Sequence, residues 1–475
     1  MLFNTPQFIF FFILVVIFYY AIPGRSKKIY MCIINFLYAF LIGGMQTVVP
    51  LAVFSVFIYI SAIIIGKIKY KKIYIFFFCF IAIGIIFYGK YLNFIFESFS
   101  LIIHKEYVPV SVIGMVGVSY YIFSGISYII DIYKGKDSPD RNLLDVIIWI
   151  SLFSKIVAGP IERHCDFRTQ ILHLGKVSFD LERIKRGLLI VAFGYFQKIV
   201  IADRILIFVD TAYSNLSSYE GLTLLIVMLL YSLQIYMDFA GYSNIALGSA
   251  YVLGIKLTQN FRHPYFSDSI TEFWRKWHIS LSSWLRDYIY IPLGGNRKGK
   301  VRQYLNLLIT FTVSGLWHGA AWHYIIWGML HGILQIIEKI VNPRIEKLQL
   351  RRGSKIIITC LLVSVLWIFF RAPSLERALI FIERMCGSFN PWILSDGTLI
   401  EMGLDVLDWI VLGIALVIEL LIEFRQINGI SIYYELQNRP IIFRWVFYYL
   451  VIIILLVFGV YGTSYDANNF IYFQY

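Results

Sequence analysis

The feature that most constrains this 475-residue chain is the stretch from Gln303 to Ile337, which contains no Asp, Glu, Lys or Arg. One helix needs only about 20 residues to cross a bilayer, so this stretch is too long for a single crossing. Gly315 and Gly319 bracket a central histidine, His318, and a helix is most easily interrupted at glycine. We therefore predict more than one helical piece, with His318 close to the break.

The rest of the chain is also strongly apolar, with 59% hydrophobic and only 15% charged residues. Soluble globular proteins carry about 25% charged residues. A membrane β-barrel would show alternating segments of about 10 residues, whereas this chain has continuous apolar runs. We predict an all-α polytopic membrane protein with about 11–13 transmembrane or re-entrant helices plus interfacial amphipathic helices. The predicted spans lie near residues 7–22, 30–45, 48–65, 73–89, 109–130, 143–158, 187–209, 222–253 (as one span or two), 303–337, 355–371, 404–423 and 442–461.

The runs are joined by short loops, without repeats or a separate soluble region, which predicts one membrane domain over residues 1–475. Within it, residues 254–302 form a basic, aromatic-rich segment. Its apolar residues recur at helical spacing, which predicts an amphipathic helix lying in the membrane interface. The predicted apolar face holds Phe273, Trp277, Leu281, Trp284, Leu285 and Tyr288, and the predicted polar face holds Lys276, Ser280, Ser283 and Asp287.

The net charge of +13 comes largely from basic clusters between apolar runs. Such clusters are typical of cytoplasmic loops, so residues 25–28 and 67–72 are predicted to lie inside and the N-terminus outside. The first run has no basic residues before it, which favours a retained helix over a cleaved signal. The charge therefore indicates contact with membrane lipids rather than nucleic acid. The five cysteines show no paired spacing, so neither a disulfide framework nor a zinc site is expected.

Two histidines are candidates for catalysis. An ionisable side chain at membrane depth is a functional-site hypothesis by default, and His318 is such a residue. A neutral imidazole could accept the proton of a hydroxyl that attacks a thioester. His278, in the 254–302 segment, could orient the substrate or polarise the thioester carbonyl. The alternatives are a packing role for His318 at a Gly-x-x-x-Gly helix contact and an interfacial role for His278. The spacing of His323 and His331 does not complete a metal site.

Asp238 is the one charged residue between Glu220 and Lys256. A lone acid in such a segment either pairs with a base or lines a wet cavity. We expect an ion pair with an arginine of residues 262–302, with a role in the reaction chamber as the alternative.

The basic residues of the 254–302 segment either bind the phosphates of a carrier such as coenzyme A or anchor the segment to anionic lipid. The chain has no Walker A loop and no Gly-x-Ser-x-Gly elbow, which argues against an ATP-driven pump and a serine hydrolase. The basic residues in question are Arg275, Lys276, Arg286, Arg297, Lys298 and Lys300.

Several strings together resemble the membrane-bound O-acyltransferase (MBOAT) family, and its alginate O-acetyltransferase membrane-subunit branch in particular. The resemblance runs from residue 1 to about residue 335 and covers most of the chain. The strings are Phe273-Trp-Arg-Lys-Trp-His-Ile-Ser-Leu-Ser282, Trp284-Leu-Arg-Asp-Tyr-Ile-Tyr-Ile-Pro-Leu-Gly-Gly-Asn-Arg-Lys-Gly-Lys300, Gly315-Leu-Trp-His-Gly-Ala320, Leu2-Phe-Asn4, Val157-Ala-Gly-Pro-Ile161 and Met237-Asp-Phe-Ala-Gly-Tyr-Ser243.

The resemblance implies a ring of helices around a thin centre, with His318 at the position of the essential histidine and His278 at the second signature position. It also implies acetyl-CoA as a donor substrate, no bound cofactor, and a polysaccharide acceptor reached through a separate extracytoplasmic SGNH-type protein. The location it implies is a bacterial cell membrane. We therefore predict His318 and His278 as catalytic residues. The predicted substrate-binding residues are Asp238, Trp274, Arg275, Arg286, Asn296, Arg297 and Trp317.

Other functions remain open at this point. Within the family, transfer of D-alanine from a carrier protein to teichoic acid is the alternative. Outside it, a non-catalytic transporter of an acyl carrier or glycan would need inverted repeats or paired broken helices, which the sequence does not display. A scaffold subunit whose histidines only pack is the third possibility.

Overall fold

The computed structural model describes residues 1–112, 116–345 and 351–461, and the regular structure within these ranges is helical. Seven helical stretches in the described ranges are long and apolar enough to cross a membrane. The predicted all-α, polytopic membrane architecture is confirmed. The seven stretches are Gly24–Gly43, Met45–Lys67, Lys71–Ile103, Gly221–Val252, Trp322–Asn342, Arg352–Arg371 and Ile441–Phe458.

The chain divides into two compact units, of which the first comprises Met1–Val191 and Ile245–Gln259. The prediction of one domain over residues 1–475 stays a prediction. The helices that begin in the first unit are α1 (Pro6–Ala21), α2 (Lys27–Gly43), α3 (Met45–Lys67), α4 (Lys71–Ile86), α5 (Leu92–Ile103), α6 (Val118–Tyr133), α7 (Leu143–Ser151), α8 (His164–Leu172) and α9 (Leu181–Tyr195).

The second unit comprises Ala192–Asn244 and Asn260–Tyr475. Its described helices are α10 (Asp203–Ser214), α11 (Gly221–Val252, whose last residues belong to the first unit), α12 (Ile270–Lys276), α13 (Ile279–Leu285), α14 (Lys300–His318), α15 (Trp322–Ile345), α16 (Arg352–Arg371), α17 (Leu375–Gly387), α18 (Thr398–Glu401), α19 (Val406–Ile427), α20 (Ile432–Gln437) and α21 (Ile441–Phe458).

A buried asparagine organises the core of the first unit. The side-chain oxygen of Asn35 on α2 accepts a hydrogen bond from the backbone N–H of Phe153 at 3.0 Å, and its amide donates to the Ser151 hydroxyl at 3.3 Å. The Phe153 ring packs against Tyr38, one turn along α2, with 5.8 Å between ring centroids. The chain leaving α7 is therefore fixed to α2 by both polar and aromatic contacts, in surroundings where an unpaired amide is costly.

The break predicted within residues 303–337 is confirmed. α14 ends at His318 and α15 begins at Trp322, so Gly319 lies between the two helices. Gly315 instead lies inside α14. The span predicted near 222–253 is a single helix, α11, without interruption.

The prediction of one amphipathic helix across the apolar stripe of the 254–302 segment is wrong. The segment forms α12 and α13, two short helices separated at Trp277 and His278. His278 has a backbone φ of 42°, a left-handed conformation that ends a right-handed helix. Trp277 and Ser280 are both buried, although the prediction placed them on opposite faces. The apolar spacing continues across the break because both helices pack into the same core.

The last described helix, α21, shows how the outer surface suits a bilayer. None of its membrane-length window is buried within the protein, and it presents large apolar side chains all around. A helix that is apolar on every side belongs in a core or in lipid. The surface of α21 is therefore suited to hydrocarbon chains along most of its circumference.

A charged cluster outside the membrane-length helices joins α8 to the loop before α7. His164 Nδ1 lies 2.8 Å from Asp137 Oδ2, and His164 Nε2 lies 3.6 Å from Asp140 Oδ2. Arg168 Nε is 3.8 Å from the same Asp140 oxygen. Burial alone would lower the pKa of His164, but the two aspartates raise it above its ordinary value.

We predict that this cluster makes stability depend on pH. Because the folded-state pKa of His164 is raised, its contribution is fully present below about pH 6.5, the pKa of an unfolded histidine. It is lost as the pH rises through the folded-state value. The thermal unfolding temperature of the detergent-purified protein should therefore fall over that window, and His164→Gln should reduce this part of the fall.

His173→Gln is the matched control, because His173 is exposed at the end of the same helix and its ring lies 2.8 Å from the Thr169 carbonyl oxygen. It should keep the pH dependence of the unmodified protein. An identical pH profile for His164→Gln and the unmodified protein would contradict the prediction.

Candidate active site

Two glycines bring α14 and α15 into backbone contact. A Cβ atom on Gly315 would collide with the carbonyl oxygen of Tyr324 and lie 3.2 Å from Cα of Gly328. A Cβ atom on Gly328 would in turn collide with the carbonyl oxygen of Phe311. Small residues at such crossings let membrane helices approach closely. These contacts fix the distance between α14 and α15. That distance also determines where His318 lies, because His318 is the last residue of α14.

His318 lies in a cage of aromatic rings and is 4% exposed. The ring of Trp317 is its sequence neighbour, at 5.0 Å between centroids. Trp327 on α15 lies at 5.1 Å and Phe370 on α16 at 5.2 Å, both with their planes nearly perpendicular to the imidazole. Rings contributed by three helices thus restrict the orientation of this imidazole and shield it from water.

The second predicted histidine, His278, is fully buried and lies beside the first. The two imidazole centroids are 6.5 Å apart. His278 also contacts the rings of Phe239 at 4.8 Å and Trp317 at 5.8 Å. The structure therefore brings together residues that are 40 positions apart in the sequence, at a separation where one small acyl group can reach both rings.

Burial sets the protonation state of His278. Its environment lowers the pKa of His278 to about 3, because the charged form is poorly solvated among aromatic rings. The imidazole is then neutral near pH 7 and offers one N–H donor and one acceptor nitrogen. A neutral imidazole of this kind can donate to a developing oxyanion or accept a proton.

Asp238 does not pair as predicted. Its ion pair is with Lys198, at 2.6 Å, rather than with an arginine of residues 262–302. Lys198 also lies 2.7 Å from Asp203, and all three side chains are almost completely buried. The prediction failed because Lys198 lies in a π-helical turn, Phe196–Ala202, whose position beside α11 no spacing rule gives. The alternative, a role in the reaction chamber, stays a prediction; Asp238 directly precedes Phe239, which contacts His278.

The other predicted substrate-binding residues fall into two groups. Trp317 contacts both histidines, and Trp274 lies one ring further out, 5.8 Å from Trp327. Trp274 is fixed by a hydrogen bond from its indole N–H to Nδ1 of His331 at 3.2 Å. The remaining residues are exposed, and their contact with a donor stays a prediction. They are Arg275, Arg286, Asn296 and Arg297.

Sequence reasoning missed three of the ring contacts around the histidines, which come from Phe239, Trp327 and Phe370. An aromatic residue in an apolar helix is ordinary, so nothing in the local sequence distinguishes these three from the other aromatic residues of the core. One weak sequence signal for Trp327 is that it directly precedes Gly328, the glycine at the close crossing of α14 and α15. Across the part of the chain that the structure describes, no group of three or more His, Cys, Asp and Glu side chains could hold a metal ion.

The fold and this site define a class of protein, namely a multi-pass membrane protein with a caged pair of histidines. The family model for MBOAT, the membrane-bound O-acyltransferase family, matches residues 118–377, more than half of the chain. That range contains both histidines and the whole aromatic cage. The chain belongs to the membrane-bound O-acyltransferase family.

The chain is similar in sequence to several bacterial proteins. A Pseudomonas putida protein named probable alginate O-acetylase AlgI is 39% identical over 325 residues, covering 66% of this chain and 64% of its own length. A Helicobacter pylori peptidoglycan O-acetyltransferase is 31% identical over 421 residues, covering 82% and 80%. A Bacillus subtilis teichoic acid D-alanyltransferase is 29% identical over 233 residues, covering 48% and 59%. The match thus spans less than two thirds of the alginate O-acetylase relative.

We predict that Gly315→Ala destabilises the protein because its methyl group meets the α15 backbone. Overpacking of this kind typically costs about 1–3 kcal/mol. The measurement is the thermal unfolding temperature of the purified protein, which should fall.

Gly413→Ala is the matched control, since a Cβ atom at this α19 glycine meets nothing within 4 Å. In an open helical position alanine is favoured over glycine by about 1 kcal/mol, so this variant should unfold at the same or a higher temperature. Equal shifts for the two variants would count against the close crossing.

Proposed function

We propose that this chain transfers an acetyl group from cytosolic acetyl-CoA towards hydroxyl groups of a cell-surface or exported polysaccharide. The observation that carries the proposal is the caged pair His278 and His318 in a chain of this family. The proposed setting is a bacterial cytoplasmic membrane, with a separate extracytoplasmic SGNH-type protein as the partner that delivers the group to the polymer.

The proposed reaction needs one base and one polarising group. His318 accepts the proton of the acceptor hydroxyl as its oxygen attacks the thioester carbonyl carbon. The N–H of the neutral His278 imidazole stabilises the oxyanion that forms. The carbon–sulfur bond then breaks, and the thiolate of coenzyme A takes the proton from His318. The products are the acetyl ester and the free thiol, so atoms and protons balance without a metal or a redox partner.

The aromatic cage supports this chemistry because it limits access of water. Water at the histidines would compete with the acceptor hydroxyl and hydrolyse the thioester. His318 and His278 are both almost completely buried, and Trp317 contacts both. A reaction that must favour an alcohol over water benefits from such a dry site.

Exposed arginines on both sides of the break at His278 support the choice of donor. Arg275, Arg286 and Arg297 are solvent-accessible. Coenzyme A carries several phosphate charges, and arginine binds phosphate through paired N–H groups. We propose that these three arginines, here called the basic patch, bind the donor nucleotide.

The relatives support acetyl over other acyl groups. The names of the Pseudomonas putida and Helicobacter pylori proteins both specify O-acetyl transfer, and both matches extend over more of this chain than the teichoic acid D-alanyltransferase match. D-Alanyl transfer from a carrier protein is the second candidate, favoured by that last match alone. Supplying membranes with D-alanyl carrier protein in place of acetyl-CoA distinguishes the two.

We predict that His318→Ala lowers acetyl transfer by about 1000-fold, within the range that general acid–base catalysis contributes. His278→Ala should lower it by about 100-fold, as for loss of one oxyanion donor. The measurement is transfer of labelled acetyl from acetyl-CoA into polymer-bound ester, in membranes containing the full-length protein and its partner.

His173→Ala, an exposed histidine on the surface of the first unit, is the matched control and should keep full activity. Both active-site variants should be purified and shown to elute as the unmodified protein does, so that loss of folding is separated from loss of chemistry. A His318→Ala protein that folds and retains the full rate would refute the proposed mechanism.

We further predict that replacing the three arginines of the basic patch with glutamine raises KM for acetyl-CoA by about 10-fold or more, because charge-assisted hydrogen bonds contribute about 1.5–3 kcal/mol each. The turnover number should change much less, since the patch does not touch the reacting atoms. Raising the salt concentration should raise KM of the unmodified protein and have less effect on the variant.

Lys69→Gln serves as the control, because it removes an exposed positive charge that lies outside the basic patch. It should leave KM unchanged. An unchanged KM in the patch variant would place donor binding at another surface.

A further inference from the structure

The backbone of His278 is held in an unfavourable conformation. Its φ of 42° lies in the left-handed region, which is unfavourable for a residue with a Cβ atom. Such a conformation persists only when the surrounding structure over-determines it. The direction of the His278 imidazole depends on this backbone conformation. Contacts that stabilise the backbone at His278 therefore also orient its ring.

The neighbouring segment, residues 260–262, brackets His278 with two backbone hydrogen bonds. The N–H of Ile279 donates to the carbonyl oxygen of Asn260 at 2.9 Å, and the N–H of Arg262 donates to the carbonyl oxygen of Lys276 at 3.0 Å. One bond lies just after His278 and the other lies two residues before it. The turn at His278 is thus fixed from outside the two short helices that it separates.

The side chain of Asn260 adds a second connection at the same place. Its oxygen accepts a hydrogen bond from the Ser280 hydroxyl at 2.7 Å, and its amide donates to the Ser243 hydroxyl at 3.3 Å. Asn260 is 1% exposed, so these bonds do not compete with bulk water. Ser280 belongs to the first turn of α13, directly after His278, and Ser243 belongs to α11.

The connection to α11 is important because α11 also carries one wall of the site. Phe239, one turn before Ser243, contacts the His278 ring at 4.8 Å. Asn260 therefore fixes the start of α13 to the same helix whose ring packs against the imidazole. The backbone turn at His278 and the Phe239 ring that packs on its imidazole are therefore both fixed relative to α11.

We propose that Asn260 is a positioning residue that sets the orientation of the His278 imidazole through its hydrogen bonds to Ser280 and Ser243. The inference rests on the proposed acetyltransferase function, in which His278 polarises the thioester carbonyl. Asn260 contacts neither substrate nor His318 in this account, and it acts only through His278.

The test measures kcat and KM for acetyl-CoA in the same membrane assay for Asn260→Ala. A displacement of about 1 Å in a catalytic group can lower a rate by about 100-fold, so we expect kcat to fall by about 10- to 100-fold. KM for acetyl-CoA should stay within about 3-fold, because nucleotide binding involves other residues. Ser280→Ala should lower kcat in the same direction by a smaller factor, and Ser280→Thr, which keeps a hydroxyl, should recover most of the loss.

The double variant Asn260→Ala with Ser280→Ala separates positioning from general destabilisation. If both residues act through one hydrogen bond, the double variant should be no slower than Asn260→Ala alone. Asn390→Ala is the matched control: Asn390 is also a buried asparagine that holds a loop, accepting from the Leu222 N–H at 2.7 Å and donating to the Glu220 carbonyl at 3.2 Å. It should lower the unfolding temperature and leave kcat unchanged.

The outcomes are distinguishable. An unmodified protein that transfers no acetyl group refutes the proposed function itself. An active protein in which Asn260→Ala changes only stability, as Asn390→Ala does, overturns the positioning role and leaves the function standing. If Asn260→Ala fails to fold, the variants Ser280→Ala and Ser280→Thr provide the test. Equal kcat for Ser280→Ala and the unmodified protein overturns the proposal. A loss of kcat in Ser280→Ala that is recovered in Ser280→Thr supports it.

Discussion

The close crossing of α14 and α15 is the contact on which the candidate site depends. Gly315 and Gly328 let the two backbones touch, and any side chain at either position would separate them. His318 ends α14 just beyond this contact, and Trp327, which packs on it, directly precedes Gly328. The distance between His318 and the wall of its cage is therefore set by two residues without side chains. In lipid, where no hydrophobic force drives helices together, such packing is a main source of association.

The two histidines are constrained in different ways. His318 is oriented by ring packing from three helices, at centroid distances of 5.0–5.2 Å. His278 depends on hydrogen bonding around a left-handed turn, with Asn260 at its centre. Packing tolerates little change of volume, and hydrogen bonding tolerates little change of polarity. Substitutions near the two histidines should therefore fail for different physical reasons, although both affect the same proposed step.

The place of His318 beside a helix break was predictable from the sequence, because a histidine in a long uncharged stretch stands out and glycines flank it. The uncharged stretch predicted a break beside His318, and the break lies there. The pairing of His278 with His318 came from a resemblance, since no spacing rule places residues 40 apart side by side. The sequence could not reveal the turn at His278, because apolar spacing continues through it and no glycine marks it. It also could not assign Asp238 to Lys198, since that ion pair depends on how a π-helical turn packs against α11.

The proposed roles of the two histidines are tested most directly by a structure of the protein with a non-hydrolysable thioether analogue of acetyl-CoA. We expect the acyl carbonyl to lie between the two imidazoles, with its oxygen within hydrogen-bond reach, about 3 Å, of a His278 nitrogen. We also expect His318 to lie on the side from which a hydroxyl would approach. An acyl group bound away from both rings, with the aromatic cage closed, would contradict these roles.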